Sequence, residues 1–562
     1  MKPGELAVVN EQAKTETQDN VKRRLTRDIV YAVARGRLGL AALLCRHLLA
    51  MRRDDPDILV WLAVAEAGQG YAEAAAAALD EAALLRGPAA HPWPELQAAL
   101  RRLDQAPLIE PQLRACVAHN PECPVVAVAL AELLHEFGQL DAAAAVLAAL
   151  LTRVPGDASA HHLMAMVQFD RCDLLAAECH AEQATICAPD LAAAWSNLGM
   201  IRKTLGAFRP AMDAHDRAVA LAPQAPQIRL NRAIALLRAE RLREGWVDYE
   251  CRLAVGGVAS AQARGLHPSR LLPSVSSLAS LEGRTVLVTH EEGFGDTLHF
   301  LRYGPLLAAR GARVLAWVPP ELRRLMAGVA GLAGVVDGAG LAPPHDFHCP
   351  AFSLPRAFET DLSNIPPAEY LTPDARLVTV WADRLETMAG TDGLRVGLVW
   401  AGQARPWVSS FSQLDRRRSL SLADLAPLAG IAGVRFISLQ KGPAAAALRQ
   451  PPAGLMVADA MPAARDFADT AAIIANLDLV VSVDTAVVHL AGSLGKPVLL
   501  LDRFDACWRW FAGREDSPWY PRLRIFRQDR MGDWTAPVLR LRDALAAQAD
   551  AANAVETVIR AA

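Results

Sequence analysis

AAAWSNLGMIRKTLGAFRPAMDAHDRAVALAPQA, residues 192–225, closes on a proline-bearing turn that recurs at a fixed interval. Pro121, Pro155, Pro189 and Pro223 are each 34 residues apart. Superposing the chain on Pro189 and Pro223 places Ala165 with Gly199, Ala177 with Ala211 and Ala184 with Ala218. Proline has no N–H to donate and clashes with the preceding turn, so it ends a helix. The pattern therefore predicts units of two antiparallel helices whose small residues permit close crossing, stacked so that neighbours share a continuous core.

Unit 192–225 resembles the tetratricopeptide repeat through Trp195, Leu198, Gly199, Ala211, Ala218 and Pro223. Units 124–157 and 158–191 follow more loosely. The stretch from Trp61 to Ala77, with Gly68-Gln69-Gly70-Tyr71 as its turn, reads as a degenerate copy, and 26–55 as a helical pair before it. The expected array spans 26–255, after a disordered tail over 1–25. Solenoid curvature exposes a groove, so a polypeptide acceptor or partner protein is expected there; an inert spacer is the alternative.

At 562 residues the chain exceeds what one hydrophobic core usually supports. Its 52% apolar and 21% charged residues describe a globular protein, not a disordered or fibrous one. With 58 Lys+Arg against 61 Asp+Glu, the formal charge of -3 provides no electrostatic footprint for nucleic acid. The nine cysteines never fall in a C-x-x-C spacing, so neither a zinc site nor a disulfide framework is suggested. No signal-peptide pattern and no run of 18 apolar residues occurs, so no transmembrane segment is expected and a cytoplasmic location is.

Residues 256–281, rich in Gly, Ser and Pro, read as a linker. Beyond it, short apolar runs alternate with helical stretches: 284–290, 312–319, 394–402, 434–440, 477–484 and 496–502. Such runs are buried parallel strands, and their alternation with helices predicts doubly wound α/β folding. The length suits two facing Rossmann-like domains, 282–390 and 391–548.

The first strand leads into Gly293-Phe294-Gly295-Asp296-Thr297, with glycines that allow a tight turn and close approach to a ligand. The third glycine of a dinucleotide fingerprint is missing, and no Gly-Lys-Ser/Thr follows. Asp296 stands at the carboxyl end of a strand, as a general base or as a helix cap. Ser482-Val483-Asp484-Thr485-Ala486 again runs from strand into helix, where free N–H groups suit phosphate oxygens. An ordinary N-cap with His489 buried is the alternative. Asp415-Arg416-Arg417-Arg418 and Gln440-Lys441 set cations after strands, as diphosphate contacts or as a surface charge run.

Together these segments resemble the heptosyltransferase-like glycosyltransferases, glycosyltransferase family 9, in the form fused to tetratricopeptide repeats. The resemblance rests on Gly293–Tyr303, Gly397–Gly402, Asp415–Ser419, Ser438–Gly442, Asp466–Thr470, Val481–Gly492 and Ser517–Pro521 with Phe526-Arg527-Gln528. Glu244–Arg252 is similar to the last repeat of such fusions. The resemblance implies an α + α/β chain: an all-α repeat solenoid, then a GT-B module with an acceptor-side domain (282–390) and a nucleotide-sugar-binding domain (391–548). It implies a metal-independent, inverting transfer with no cofactor, the nucleotide-sugar being co-substrate. Asp296 corresponds to the catalytic aspartate, and Asp484, Thr485 and Ala486 to the donor diphosphate segment, with His489 on its helix. Lys441 is expected to stabilise the leaving group; Gly293, Gly295, Arg417, Arg418 and Gln440 are further phosphate or acceptor contacts. The chain departs from the family pattern in three places: Ala486 stands for a glycine, Cys507 for an aspartate, and 403–414 is irregular.

The expected function is sugar transfer from a nucleotide-sugar to a hydroxyl of a protein, flagellin or another surface protein, captured by the repeats. Two rivals are a degenerate, glycosyltransferase-like scaffold and a lipopolysaccharide or other glycan transferase.

Overall fold

A computed structural model describes residues 18–51, 55–86, 110–255, 264–338, 340–403 and 409–561. Most of the expected tail, the start of the expected linker and positions 404–408 of the irregular stretch lie outside the described residues. The chain divides into two compact units, Met1–Asp190 and Leu191–Ala562. The division falls inside the repeat array, not at the 256–281 linker.

The first unit is helical. Helices α1 to α9 run over Gln18–Ala34, Leu38–Met51, Pro56–Ala67, Ala72–Arg86, Glu110–His119, Pro124–Glu136, Leu140–Arg153, Ala158–Asp170 and Leu174–Cys187. Helix therefore begins at Gln18, eight residues inside the expected tail. α5, α7 and α9 end two residues before Pro121, Pro155 and Pro189, as proline chemistry requires. Asp157 and Asp173 cap α8 and α9 by accepting from the Ala160 and Ala176 amides at 2.7 and 3.1 Å. The degenerate copy is α3 and α4, joined by a turn in which Gly70 takes φ +87°. Ala143, Ala160, Ala165, Ala177 and Ala184 are fully buried, so the recurring small residues are the crossing points.

The second unit opens with four more repeat helices: α10 (Ala192–Thr204), α11 (Phe208–Leu221), α12 (Pro226–Arg238) and α13 (Leu242–Tyr249). At the α10–α11 crossing an added Cβ on Gly199 would lie 2.8 Å from the His215 ring. His215 is completely buried, and neither ring nitrogen has a hydrogen-bond partner among the described residues.

Two parallel sheets follow. β1 (Thr285–Thr289), β2 (Arg313–Val318), β3 (Leu332–Asp337) and β4 (Phe347–Pro350) lie in the order β3-β2-β1-β4. β5 (Leu394–Val399), β6 (Val434–Ser438), β7 (Val457–Asp459), β8 (Leu479–Val483), β9 (Val498–Asp502) and β10 (Leu523–Arg527) lie in the order β10-β9-β8-β5-β6-β7. Strand order reverses between β1 and β4 in one sheet and between β8 and β5 in the other. Ligands of open α/β sheets bind in the crevice at the carboxyl ends flanking such a reversal. The described part of the expected linker is built into this body: Leu271 pairs with His348 of the β4 edge, and Leu272, Val275 and Leu281 are buried. It covers an edge that would otherwise offer unpaired backbone. No helix among the described residues is long and apolar enough to cross a membrane.

Gly199→Ala tests the crossing. The added methyl costs about 1–3 kcal/mol by overpacking against His215, more than the roughly 1 kcal/mol of helix propensity it gains. Urea unfolding should show net destabilisation. Burial, then the Lys203 and Arg232 charges, push the His215 imidazole down to about 3. Its contribution to stability is thus complete above its ordinary 6.5 and is lost as pH falls from there toward 3. His215→Leu should flatten the fall in stability between pH 7 and 5.

Candidate functional site

Asp296 lies in the first turn of the Phe294–Phe300 helix, just beyond β1 and thus at the first reversal. One carboxylate oxygen, Oδ2, accepts the Gly293 amide at 3.0 Å. The other, Oδ1, accepts from Arg509 Nη2 at 2.5 Å, across 213 residues of chain. Asp296 is therefore both a cap and half of an ion pair. Burial pushes its carboxyl above the usual aspartate value, while Arg509 and the Gly293 amide pull it back. His290, in the same loop, shares a 2.7 Å hydrogen bond with the Thr297 hydroxyl.

Asp484 and Thr485 follow β8, at the second reversal, and precede the Ala486–Ser493 helix. No side chain caps that helix, so its first amides keep their capacity for an anion. Thr485 Oγ1 is 3.1 Å from Ser482 Oγ, and Arg418 Nη1 donates to the Asp484 carbonyl at 3.3 Å. The two loops meet. An added Cβ on Gly295 would come within 3.2 Å of Ala486 Cα and 2.8 Å of the His489 ring, so glycine is what the helix crossing admits. Asp484 is close enough to raise the Asp296 carboxyl electrostatically, and Arg509 feels both.

Several expected contacts are placed otherwise. His489, expected to bind donor, is 4% exposed, with Nδ1 2.9 Å from the Tyr520 hydroxyl and its ring stacked on Trp510. It is a core residue. Gln440 accepts from the Trp400 and Ala401 amides and donates to the Ala401 and Lys441 carbonyls, so its amide laces the β5 and β6 loops together and has nothing left for a phosphate. Lys441 donates to the Ala464 carbonyl at 3.0 Å. Arg417 and Arg418 belong to a helix, Ser409–Arg418, into which the supposedly irregular stretch runs. Arg417 reaches Asp505 at 3.2 Å, and Arg418 holds Asp415 at 2.8 Å.

Arg509 is the residue that sequence reasoning missed, although it stands two positions from Cys507. Its Nη1 donates to Cys507 Sγ at 3.0 Å. Where the family pattern leads one to expect an aspartate, this chain has a neutral thiol, which burial pushes up further. The acid that balances Arg509 by a direct hydrogen bond is thus Asp296. Arg503 and Asp505, paired at 2.6 Å in the same loop, were missed as well.

A tetratricopeptide-repeat family model matches residues 95–167, and a glycosyltransferase family 9 (heptosyltransferase) model matches 436–503, from β6 through β9. Protein FlbA of Caulobacter vibrioides is 28% identical over 387 residues, 64% of this chain; the chain spans 62% of the length of that relative. Among solved structures, the glycosyltransferase family 9 protein of Veillonella parvula covers 44% of this chain and 87% of its own, at 13% identity and TM-score 0.34. MamA covers 29% of this chain and 96% of its own, at 14% identity and TM-score 0.26. This chain thus carries a tetratricopeptide-repeat segment, which suggests peptide or protein binding, and a glycosyltransferase family 9 segment.

Removing one member of a buried ion pair costs about 3–5 kcal/mol because its partner stays charged and unpaired. Asp296→Asn and Arg509→Gln should each destabilise the protein in urea unfolding. The double variant should lose about 1.5 kcal/mol less than the two singles added. Additive losses would show that the two groups are not coupled.

Proposed function

We propose that this protein transfers a glycosyl group from a nucleotide-sugar to a hydroxyl of a polypeptide held by the repeat array. The observation that carries this reading is the meeting of the Asp296 and Asp484 loops at the carboxyl ends of two parallel sheets, with Arg509 between them. Asp296 takes the proton of the acceptor hydroxyl as that oxygen bonds to the anomeric carbon from the face opposite the leaving group. The bond from that carbon to the phosphate oxygen breaks, and its electron pair leaves with the nucleotide. Negative charge then grows on the phosphate, where the open amides of the Ala486–Ser493 helix and the Arg509 guanidinium stabilise it without a metal.

This scheme gives Arg509 two partners in turn. Both carboxylate oxygens of Asp296 are engaged in the structure, and a base so held is poorly placed to accept a proton. A donor phosphate offers Arg509 a competing anion, and on binding releases Oδ1 for the acceptor. Donor binding would then switch on the base. The same engagement of Asp296, with Gly295 packed on Ala486, favours a second reading, a scaffold whose transfer site has closed.

A thermal-shift panel of UDP-, GDP-, ADP-, dTDP- and CMP-sugars separates the two. Transfer requires stabilisation by one donor class and its loss in Asp484→Ala; no shift for any donor with folded protein supports the scaffold. With the donor in hand, Asp296→Asn should lower kcat by about 10²–10⁴-fold while still binding donor, its folding checked by melting. Because burial raises the Asp296 carboxyl, wild-type kcat/KM should fall on the acid side at a pH above the ordinary 3.8 of aspartate. An Asp296→Asn variant with the wild-type rate would end its assignment as base.

A further inference from the structure

Tyr249 closes α13, is 7% exposed, and packs on Phe352 and Trp508 with ring centroids 5.5 and 6.1 Å away. The same two rings carry the Arg509 guanidinium, whose central carbon lies 4.2 Å from the Trp508 centroid and 5.3 Å from that of Phe352. The end of the repeat array therefore stands against the Asp296–Arg509 pair. The Tyr249 hydroxyl has no hydrogen-bond partner among the described residues, yet it is not sealed from solvent. Burial pushes the phenol above its ordinary 10 against the opposing pull of Arg509, so at neutral pH it is a hydrogen-bond donor without an acceptor.

Glu292 is the matching acceptor. Its neighbours in the loop after β1 are both tied down: Glu291 holds Arg252 at 2.9 Å and takes the Phe352 amide at 3.1 Å, and the Gly293 amide donates to Asp296 at 3.0 Å. Between them the Glu292 backbone is held at φ +53°, in the left-handed region that side chains rarely adopt. Its carboxylate makes no hydrogen bond or ion pair among the described residues, and the residue keeps an exposed surface. Loss of surrounding water, then the Asp296 charge, raises the carboxyl above the ordinary glutamate value. The phenol of Tyr249 lies in the field of both Glu292 and Asp296.

In the transfer reading, on which this inference rests, Asp296 serves the acceptor hydroxyl and Arg509 the phosphate, so the sugar ring between them is left to other groups. Sugar hydroxyls both donate and accept, and one fixed acceptor beside one fixed donor orients them. We propose that the Tyr249 hydroxyl and the Glu292 carboxylate hold the hydroxyls of the transferred sugar, so that the last repeat helix builds one wall of the sugar site. The repeat array then contributes to the choice of sugar as well as to the capture of a polypeptide.

The test is calorimetric titration of the full chain with UDP-glucose, UDP-N-acetylglucosamine, GDP-mannose, ADP-glucose, dTDP-rhamnose and CMP-N-acetylneuraminate, each beside its free nucleotide. Wild type, Tyr249→Phe, Glu292→Asn and the control Tyr303→Phe, which removes a buried hydroxyl bonded to Thr360, are compared, each checked for folding by melting. Tyr249→Phe keeps the packed ring, and asparagine tolerates the left-handed backbone at 292. The expected result is a nucleotide-sugar that wild type binds more tightly than the free nucleotide. Its Kd should rise about fivefold or more in Tyr249→Phe and in Glu292→Asn, with the free nucleotide bound as before and Tyr303→Phe like wild type. Variants that bind the nucleotide-sugar as wild type does overturn the sugar contact and leave the transfer reading standing. Equal losses for nucleotide-sugar and free nucleotide also overturn it, as does a wild type that gains nothing from any sugar. A folded wild type that binds none of the panel overturns both readings. If Tyr249→Phe does not fold, Glu292→Asn is read alone by the same criteria.

Discussion

The indole of Trp246 is the packing constraint on which the second unit depends. It belongs to the last repeat helix, is 1% exposed, and meets Trp508 edge-on at 5.1 Å, Phe300 and Tyr249 at 6.0 Å, and Trp519 at 6.5 Å. Phe300 comes from the first sheet's leading helix, and Trp508 and Trp519 from segments beyond β9. Edge-to-face aromatic packing contributes both buried area and a preferred angle, so one side chain sets three segments against each other. Phe300 is one helical turn from Asp296, and Trp508 is the neighbour of Arg509. The aromatic junction therefore dictates the ion pair: with the rings seated, the carboxylate and the guanidinium have little freedom to part by backbone movement alone.

That ion pair explains how the departures from the family pattern bear on the site. An aspartate at 507 would offer Arg509 a second carboxylate and weaken its hold on Asp296. Cys507 offers a sulfur, a poor acceptor, so the guanidinium leans on Asp296. Ala486, in turn, lies where its backbone meets Gly295, and the absence of a side chain on Gly295 accommodates it. The crossing thus has room for one methyl, which Ala486 carries and Gly295 lacks. Arg252 reinforces the arrangement from the repeat side by holding Glu291 at 2.9 Å, and Glu291 in turn accepts the Phe352 amide at the foot of the first sheet's reversal.

What was legible in the sequence is what depends on local chemistry. Proline two residues beyond a helix end marked α5, α7, α9 and α11, and short, predominantly apolar runs marked β1, β2, β5, β6, β8 and β9. The other strands carry weaker signals: β7 has three residues, β3 is broken by Gly334, β4 ends in Pro350, and β10 carries two charges, Arg524 and Arg527, among its five residues at a sheet edge. Asp296 and Asp484 could be singled out because a carboxylate at the end of an apolar run stands out from its surroundings. His489 and Gln440 were misplaced because their partners, Tyr520 and Ala401, lie 31 and 39 residues away, and burial of a polar group becomes visible only when those partners arrive. Arg509 belongs to the same class, since its meaning is made by tertiary neighbours.

The break between the two units at Asp190 and Leu191 has a bearing on how such chains diversify. α10 to α13 belong, by packing, to the α/β body: Arg238 and Trp246 are both spent on it, as is Arg252 just beyond α13. The described helices upstream share a core of their own, which runs from Leu59 to Val167. A crossover at the glycine- and serine-rich stretch after Val255 would strip the body of its tryptophan keystone. Modularity in this protein follows the packing and not the composition.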